Sequence, residues 1–221
     1  MCTCPKTACA TPGKHPRLDD WPNSATSDKD EVEAYFTRGS TFAERCNIGV
    51  ATGQSGLVVV DIDPRHNGDR WLAQREEEHR SAWTETVRAS SGGGGSHLFF
   101  RAPATPLKST NGMVAPGVDI KAAGGIIVLA PSRHQSGGRY RWEPGRSPWD
   151  LVPAPLPPWL EEEIRRAGRS ASKSGNRSSS VRPEISLADG IPEGRRNTTL
   201  FSLAARLGSA LHPLIGKLVE R

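Results

Sequence analysis

One stretch, Leu57-Val58-Val59-Val60-Asp61-Ile62-Asp63, constrains the fold of this 221-residue chain more than any other. Strand side chains alternate between two faces. Leu57, Val59, Asp61 and Asp63 therefore share one face, and Val58, Val60 and Ile62 the other. Both faces are apolar over most of the run, the pattern of a central strand covered on both sides. The aspartates stand where the apolar run stops, just before a turn at Pro64, Asn67 and Gly68. Two carboxylates at the mouth of a sheet repel each other unless a cation lies between them. Mg²⁺ or Mn²⁺ suits such a place, because hard cations take oxygen ligands. The alternative is a pair of surface acids closing a strand, since Asp is common in turns.

The length allows one domain, or one with a small appendage. The net charge is +5 and the pI about 9.3, a modest basic surplus that suits a polyanionic partner. No apolar run is long enough to span a membrane. The N-terminus carries Cys, Lys and Pro where a secretory signal would be apolar, so the expected location is cytoplasmic. Clustered cysteines in a cytosolic chain point to metal rather than disulfides. Cys2, Cys4, Cys9 and His15 make a tetrahedral zinc set in kind, although their spacing is tighter than in common zinc modules. The alternative is free thiols in a flexible start. Cys46 precedes an apolar strand and reads as a small buried residue.

Residues 27–38 read as a packing helix, capped by Ser27 or Asp28. Residues 47–51 read as a strand that forms a hairpin with the central strand through a turn at 52–56. Residues 69–83 read as a helix with one solvated acidic face, and 84–89 as a strand. The glycine-rich run 90–95 is either a flexible connector or a backbone nest for an anion. It leads into strand 96–101, on which His97, Phe99 and Arg101 share a face. Residues 111–117 read as a loop, 118–121 as a strand with Asp119 and Lys121 on one face, and 126–130 as a further buried strand. Arg133 and His134 follow that strand, and a last short strand covers 140–142. Residues 159–167 read as a helix, 168–182 as a flexible basic linker, and the chain beyond 193 as the start of another helix. The carboxylates, cations and histidines recur at the ends of apolar strands, which favours one common cleft.

The ordered set resembles a known family. Val-Val-Val-Asp61-Ile-Asp63 comes first, then Gly-Gly-Ser96-His97-Leu-Phe-Phe, then Gly-Val-Asp119-Ile-Lys121-Ala-Ala-Gly-Gly, then Ala-Pro-Ser-Arg133-His134. Together they are similar to the bifunctional primase–polymerase (prim-pol) domain of the archaeo-eukaryotic primase superfamily, found in phages, plasmids and prophages. The segment Pro12-Gly13-Lys14-His15-Pro16-Arg17 and the strand Gly49-Val50-Ala51 also match its usual opening. The resemblance covers roughly residues 10–150. It implies that Asp61, Asp63 and Asp119 hold two Mg²⁺ or Mn²⁺ ions. Ser96 and His97 match the motif that contacts the incoming nucleotide's phosphates, and Lys121, Arg133 and His134 match basic positions near the triphosphate. The implied partners are a single-stranded DNA template, NTPs or dNTPs and a replicative helicase.

The expected fold is α/β (α+β), a mixed or antiparallel sheet flanked by helices. The expected organisation is a catalytic domain over 1–160 with a candidate zinc segment at 2–15, a helix and basic linker over 161–190, and the start of a small helical domain over 191–221. Members of the family usually begin with a helix and a strand ahead of the cysteine-rich segment, so the chain is expected to be shortened at its start. The expected function is template-directed nucleotidyl transfer, as a DNA primase, a DNA polymerase or both. The rivals are a metal-dependent Asp-x-Asp sugar transferase and a non-catalytic, zinc-stapled nucleic-acid-binding fragment.

Overall fold

A computed structural model of the chain describes residues 9–16, 20–37, 46–79 and 82–174. Two helices come first, α1 (Trp21–Ser24) and α2 (Lys29–Thr37). The Asp28 carboxylate caps α2, accepting from the N–H groups of Asp30 and Glu31 at 3.0 Å each. Strands β1 (Gly49–Ala51) and β2 (Leu57–Ile62) follow, then a 3₁₀ turn (Pro64–His66) and α3 (Gly68–His79). Next come β3 (Val87–Ser90), β4 (Ser96–Arg101), β5 (Thr110–Ala115), β6 (Val118–Lys121), β7 (Ile126–Val128), β8 (Arg141–Trp142) and β9 (Ala154–Pro155). Helix α4 (Pro158–Ser174) ends the described chain.

The main sheet has the order β5-β6-β2-β4-β3-β8, with antiparallel neighbours throughout, and β9 adds parallel to β4. Strand β2 lies inside it, between β4 and β6, where its two apolar faces require it to be. On one face Val58, Val60, Ile62, Leu98, Phe100, Val118 and Ile120 pack against Trp71 and Leu72 of α3 and Leu160 and Ile164 of α4. The opposite face buries Val59, Val87, Ala89 and Phe99 under Ile127 of β7. Helices thus cover one side of the sheet and the small β1–β7 ribbon part of the other. The architecture is α+β, as expected. Glu76, Glu77 and Glu78 form the exposed face of α3.

Several expectations are corrected. Strand β1 does not form a hairpin with β2; it pairs antiparallel with β7, Gly49 opposite Val128. Buried Thr52 explains this. Its N–H donates to Gly125 O at 3.0 Å and its hydroxyl to Ala122 O at 2.7 Å, so the chain arches from one sheet to the other instead of folding back. Residues 111–117 are no loop, because most of them form edge strand β5, paired to β6. The polar Asn111-Gly112 pair disguises this strand, which stays exposed as edge strands do. Helix α4 runs seven residues past the expected end at 167, because Arg169, Ala171 and Lys173 are good helix formers. The rest of the expected linker and the terminal helix lie outside the described residues. No helix among the described residues is long and apolar enough to cross a membrane.

Thr86 couples β9 to the sheet. Fully buried, it donates to Phe99 O and accepts from Ala154 N–H at 2.9 Å. Thr86→Val keeps the shape but leaves the Ala154 N–H unpaired, and a buried orphan costs about 1–3 kcal/mol. The variant is expected to unfold at lower denaturant, with faster hydrogen exchange at Ala154. An unchanged exchange rate there would remove this role from Thr86.

Candidate active site

Strand register builds the site. Asp61 on β2 stands directly opposite His97 on β4 and, on its other side, opposite Asp119 on β6. Residues opposite each other in antiparallel strands project to the same face. Asp119, Asp61 and His97 therefore form a row across the sheet, extended by Asn111 opposite Asp119. The row lies on the Val59 and Phe99 face, beyond the residues covered by the β1–β7 ribbon.

Each carboxylate in this region has a basic neighbour from the same chain. His97 is only 3% exposed, and its Nε2 lies 3.4 Å from Asp61 Oδ1. Burial alone would raise the Asp61 pKa. The His97 bond and charge, with Lys121 and Lys14 beyond, outweigh burial and lower it. The other ring nitrogen of His97, Nδ1, is buried without a hydrogen-bond partner. Asp119 accepts from Gly112 N–H at 2.8 Å and from Lys121 Nζ at 3.0 Å. Lys121 Nζ also reaches Asn111 Oδ1 at 3.1 Å.

Asp63 sits differently. It follows the end of β2, and its carboxylate caps the 3₁₀ turn. Arg65 clamps it with Nε at 3.0 Å, Nη2 at 2.8 Å and its backbone N–H at 3.0 Å, while His66 Nδ1 lies 3.2 Å away. The Arg65 bonds, opposed by some burial, hold the Asp63 carboxyl well below the usual carboxylate range. Asp63 is anchored from behind by its N–H, which donates to Gly117 O at 2.7 Å. Gly117 has φ +72°, and a Cβ there would lie 2.6 Å from Asp63 O, so only glycine fits the turn that seats Asp63. Among the described residues, no three His, Cys, Asp or Glu side chains stand close enough together to hold an ion. The expected three-carboxylate cluster is therefore only partly gathered. Asp61 and Asp119 occupy neighbouring strands, while Asp63 is turned onto Arg65.

Ser96 does not join His97. Successive strand residues face opposite ways, and Ser96 lines a groove with Ile62, Asp69, Leu72 and Arg88 on the α3 side of the sheet. The glycine run is an ordered turn rather than a connector: Ser91 N–H donates to Gly95 O at 2.8 Å and Gly95 N–H to Ser91 Oγ at 2.9 Å. The N–H groups of Gly94 and Gly95 are used inside the turn, so these two do not serve an anion nest. Arg133 is exposed, held by its backbone to Asn47. His134 rests its ring against Gly93, where an added Cβ would lie 3.0 Å away. Burial first, then the charges of Lys14 and Arg65, lower its pKa. Tyr140 separates the two histidines, with ring centroids 5.6 Å from His97 and 5.9 Å from His134. At the N-terminus, Cys9 Sγ lies 3.1 Å from His15 Nε2. Cys2 and Cys4 lie outside the described residues.

Sequence reasoning overlooked Arg65, Asn111 and Tyr140. The i, i+2 spacing of Asp63 and Arg65 was the available signal for the first. No local signal marked the other two, which pairing or packing brings to the site.

Tyr140 provides a pH test. Burial, and then the Asp61 charge, push its hydroxyl up to about 12. An unfolded tyrosine ionises near pH 10. The neutral phenol therefore stabilises the fold below about pH 10, and that stability is lost as pH rises from about 10 to about 12. The chain has two tyrosines, Tyr35 and Tyr140. Phenolate absorbance is expected to show one step delayed to about pH 12, and Tyr140→Phe to remove it. A Tyr140 step near pH 10 in folded protein would contradict the buried environment.

The family model for the bifunctional DNA primase/polymerase N-terminal domain matches residues 4–159, well over half of the chain. No curated protein matches it. Membership points to a nucleotidyltransferase-type enzyme and implies binding of nucleic acid and nucleotides. With its row of Asp119, Asp61 and His97 on an α+β sheet, this chain belongs to the bifunctional DNA primase/polymerase N-terminal domain family.

Proposed function

We propose that the chain catalyses template-directed nucleotidyl transfer, as a DNA primase, a DNA polymerase or both, in the replication of a phage, plasmid or prophage. The observation that carries this reading is the Asp119–Asp61–His97 row, placed by strand register within a domain of this family. Members generally work with divalent metal ions. The donor set suits a pair of hard cations such as Mg²⁺ or Mn²⁺, because Asp61 and Asp119 offer oxygen ligands from adjacent strands. Asp63 would join them by exchanging Arg65 for an ion. Bound there, the ions would help to activate a primer 3′-hydroxyl and stabilise the leaving pyrophosphate.

The chain's own residues do the rest. His97 holds Asp61 in place and keeps it ionised. Lys121 Nζ holds the Asp119 carboxylate in place at 3.0 Å. When the 3′-oxygen bonds to the α-phosphorus, the bond to the bridging oxygen of pyrophosphate breaks and negative charge shifts onto the leaving group. Preorganised cations stabilise that charge without reorganising. Lys121, Arg133 and His134 are the candidates, with His97 acting mainly through Asp61. The basic surplus binds the template backbone in a salt-dependent way. A structural zinc on Cys2, Cys4, Cys9 and His15 is part of the proposal, supported by the Cys9–His15 approach.

The test incubates the full chain with single-stranded DNA, labelled nucleotides and Mn²⁺ or Mg²⁺, beside an Asp61→Ala/Asp63→Ala variant. Labelled polymer from the wild type alone is the expected result. No polymer, with salt-sensitive DNA binding intact, would overturn the enzyme reading and leave a nucleic-acid-binding module.

A further inference from the structure

Asn47 uses its side chain as a staple between two segments far apart in sequence. Its Nδ2 donates to Gly13 O at 2.9 Å and to Arg133 O at 2.8 Å, and its Oδ1 accepts from Arg133 N–H at 2.9 Å. Three of the four bonds an amide can make are thereby committed. The staple itself is rigid. The next residue, Ile48, donates to Ser132 Oγ at 2.9 Å and accepts from Leu129 N–H at 2.9 Å. On one side of the staple is the turn 11–14, closed by Lys14 N–H to Thr11 O at 3.3 Å. Gly13 has φ +77°, and a Cβ there would meet Asn47 Nδ2 at 2.9 Å, so the turn approaches the amide as closely as only glycine permits. On the other side is the loop 131–139, whose His134 lies against the glycine turn that leads into His97.

Lys14 is carried on this stapled turn and is exposed. Three other basic groups of the region are already engaged: Arg65 with Asp63, Lys121 with Asp119, and His97 with Asp61. Among the described residues no side chain pairs with Lys14 Nζ. The Asn47 bonds to Gly13 O and to the Arg133 backbone nonetheless set its turn against the loop that bears Arg133 and His134. Among the described residues Lys14 is thus an uncommitted cation, held on a turn stapled to the loop bearing Arg133.

We propose that Lys14 is a ligand of the incoming nucleotide's triphosphate, and that Asn47 is the positioning residue that sets the Lys14 turn beside Arg133 and His134 as one phosphate-binding wall. The proposal rests on the nucleotidyl-transfer reading. A triphosphate brings several negative charges toward a row that already holds carboxylates, so it needs cations not neutralised by them. A lysine supplies a compact charge on a flexible stem, which follows a moving leaving group well. Asn47 removes the disorder that the free turn would otherwise have to lose on binding.

The test measures binding of inorganic tripolyphosphate to the full chain in EDTA by titration calorimetry. Metal ions are thereby excluded and the readout is independent of activity. Lys14→Gln is expected to weaken binding about tenfold, the size of a lost charge-assisted contact. Lys14→Arg should retain most of the affinity, and Lys29→Gln, an equal loss of charge on α2, should retain all of it. Asn47→Ala should weaken binding as well, with little further loss in Asn47→Ala/Lys14→Gln, because the two act as one unit. A merely structural Asn47 would shift the melting temperature and give additive losses, which would overturn its positioning role. Wild-type affinity in Lys14→Gln, with polymer still made by the wild type, would overturn the Lys14 assignment and leave the enzyme reading standing. Lys14-dependent binding without polymer would do the reverse, sinking the enzyme reading while keeping Lys14 as a polyphosphate ligand.

Discussion

Asp61→Asn is expected to lower nucleotidyl transfer by at least about 10³-fold, equivalent to about 4 kcal/mol of transition-state stabilisation. Asp61 is the middle member of the row, flanked by His97 and Asp119 on adjacent strands. Asparagine keeps the shape and can still accept from His97 Nε2, so the fold and DNA binding should survive. It removes the negative charge that the lowered pKa shows the site is built to keep. Primer extension at saturating nucleotide is the measurement, with the melting temperature as a check on folding. Activity within about tenfold of wild type would mean that the charge at Asp61 is not central to the chemistry.

Phe100→Ala is expected to remove about 3–5 kcal/mol of stability, the usual range for an aromatic lost from a packed core. Phe100 has no solvent exposure and is the next-to-last residue of β4, opposite Val58 on one side and Ala154 on the other. Its ring stacks on Trp83, with centroids 6.3 Å apart and planes 14° apart. Trp83 in turn meets Trp71 and Trp159 edge-on, so the cavity would open inside an aromatic cluster joining the sheet to α3 and α4. That cluster cannot collapse inward without moving both helices. Domains of this kind have about 5–15 kcal/mol in total, so the variant would lose a large share. Denaturant unfolding checks it, and a loss below about 1.5 kcal/mol would mean that the cluster repacks.

Local patterns carried much of this structure. The alternation in Leu57–Ile62 identified the central strand and both of its faces, because burial on two sides leaves few residue types that fit. Asp28 announced the start of α2 through its capping chemistry. The hairpin expected between β1 and β2 failed for the opposite reason. Its turn looked ordinary, and the decisive bonds of Thr52 go to Ala122 and Gly125, some seventy residues away. Strand β5 was hidden because an exposed edge strand needs no apolar alternation; its pairing with β6 holds it.

The candidate site divides along the same line. Sequence alone nominated the candidates: Asp61, Asp63, Asp119, His97, Lys121, Arg133 and His134 are polar groups at the ends of apolar strands, and the family resemblance gave each its expected role. Only the tertiary structure decided which of them meet. Register set Asp61 between His97 and Asp119, parity sent Ser96 to the other face, and the turn after β2 gave Asp63 to Arg65. Asn47 shows the reason most plainly. Its role exists only because a strand start lies between two loops, 34 and 86 residues away. Hydrogen bonds across such separations leave no periodic trace in the chain, since they depend on where the backbone returns rather than on the residues around them.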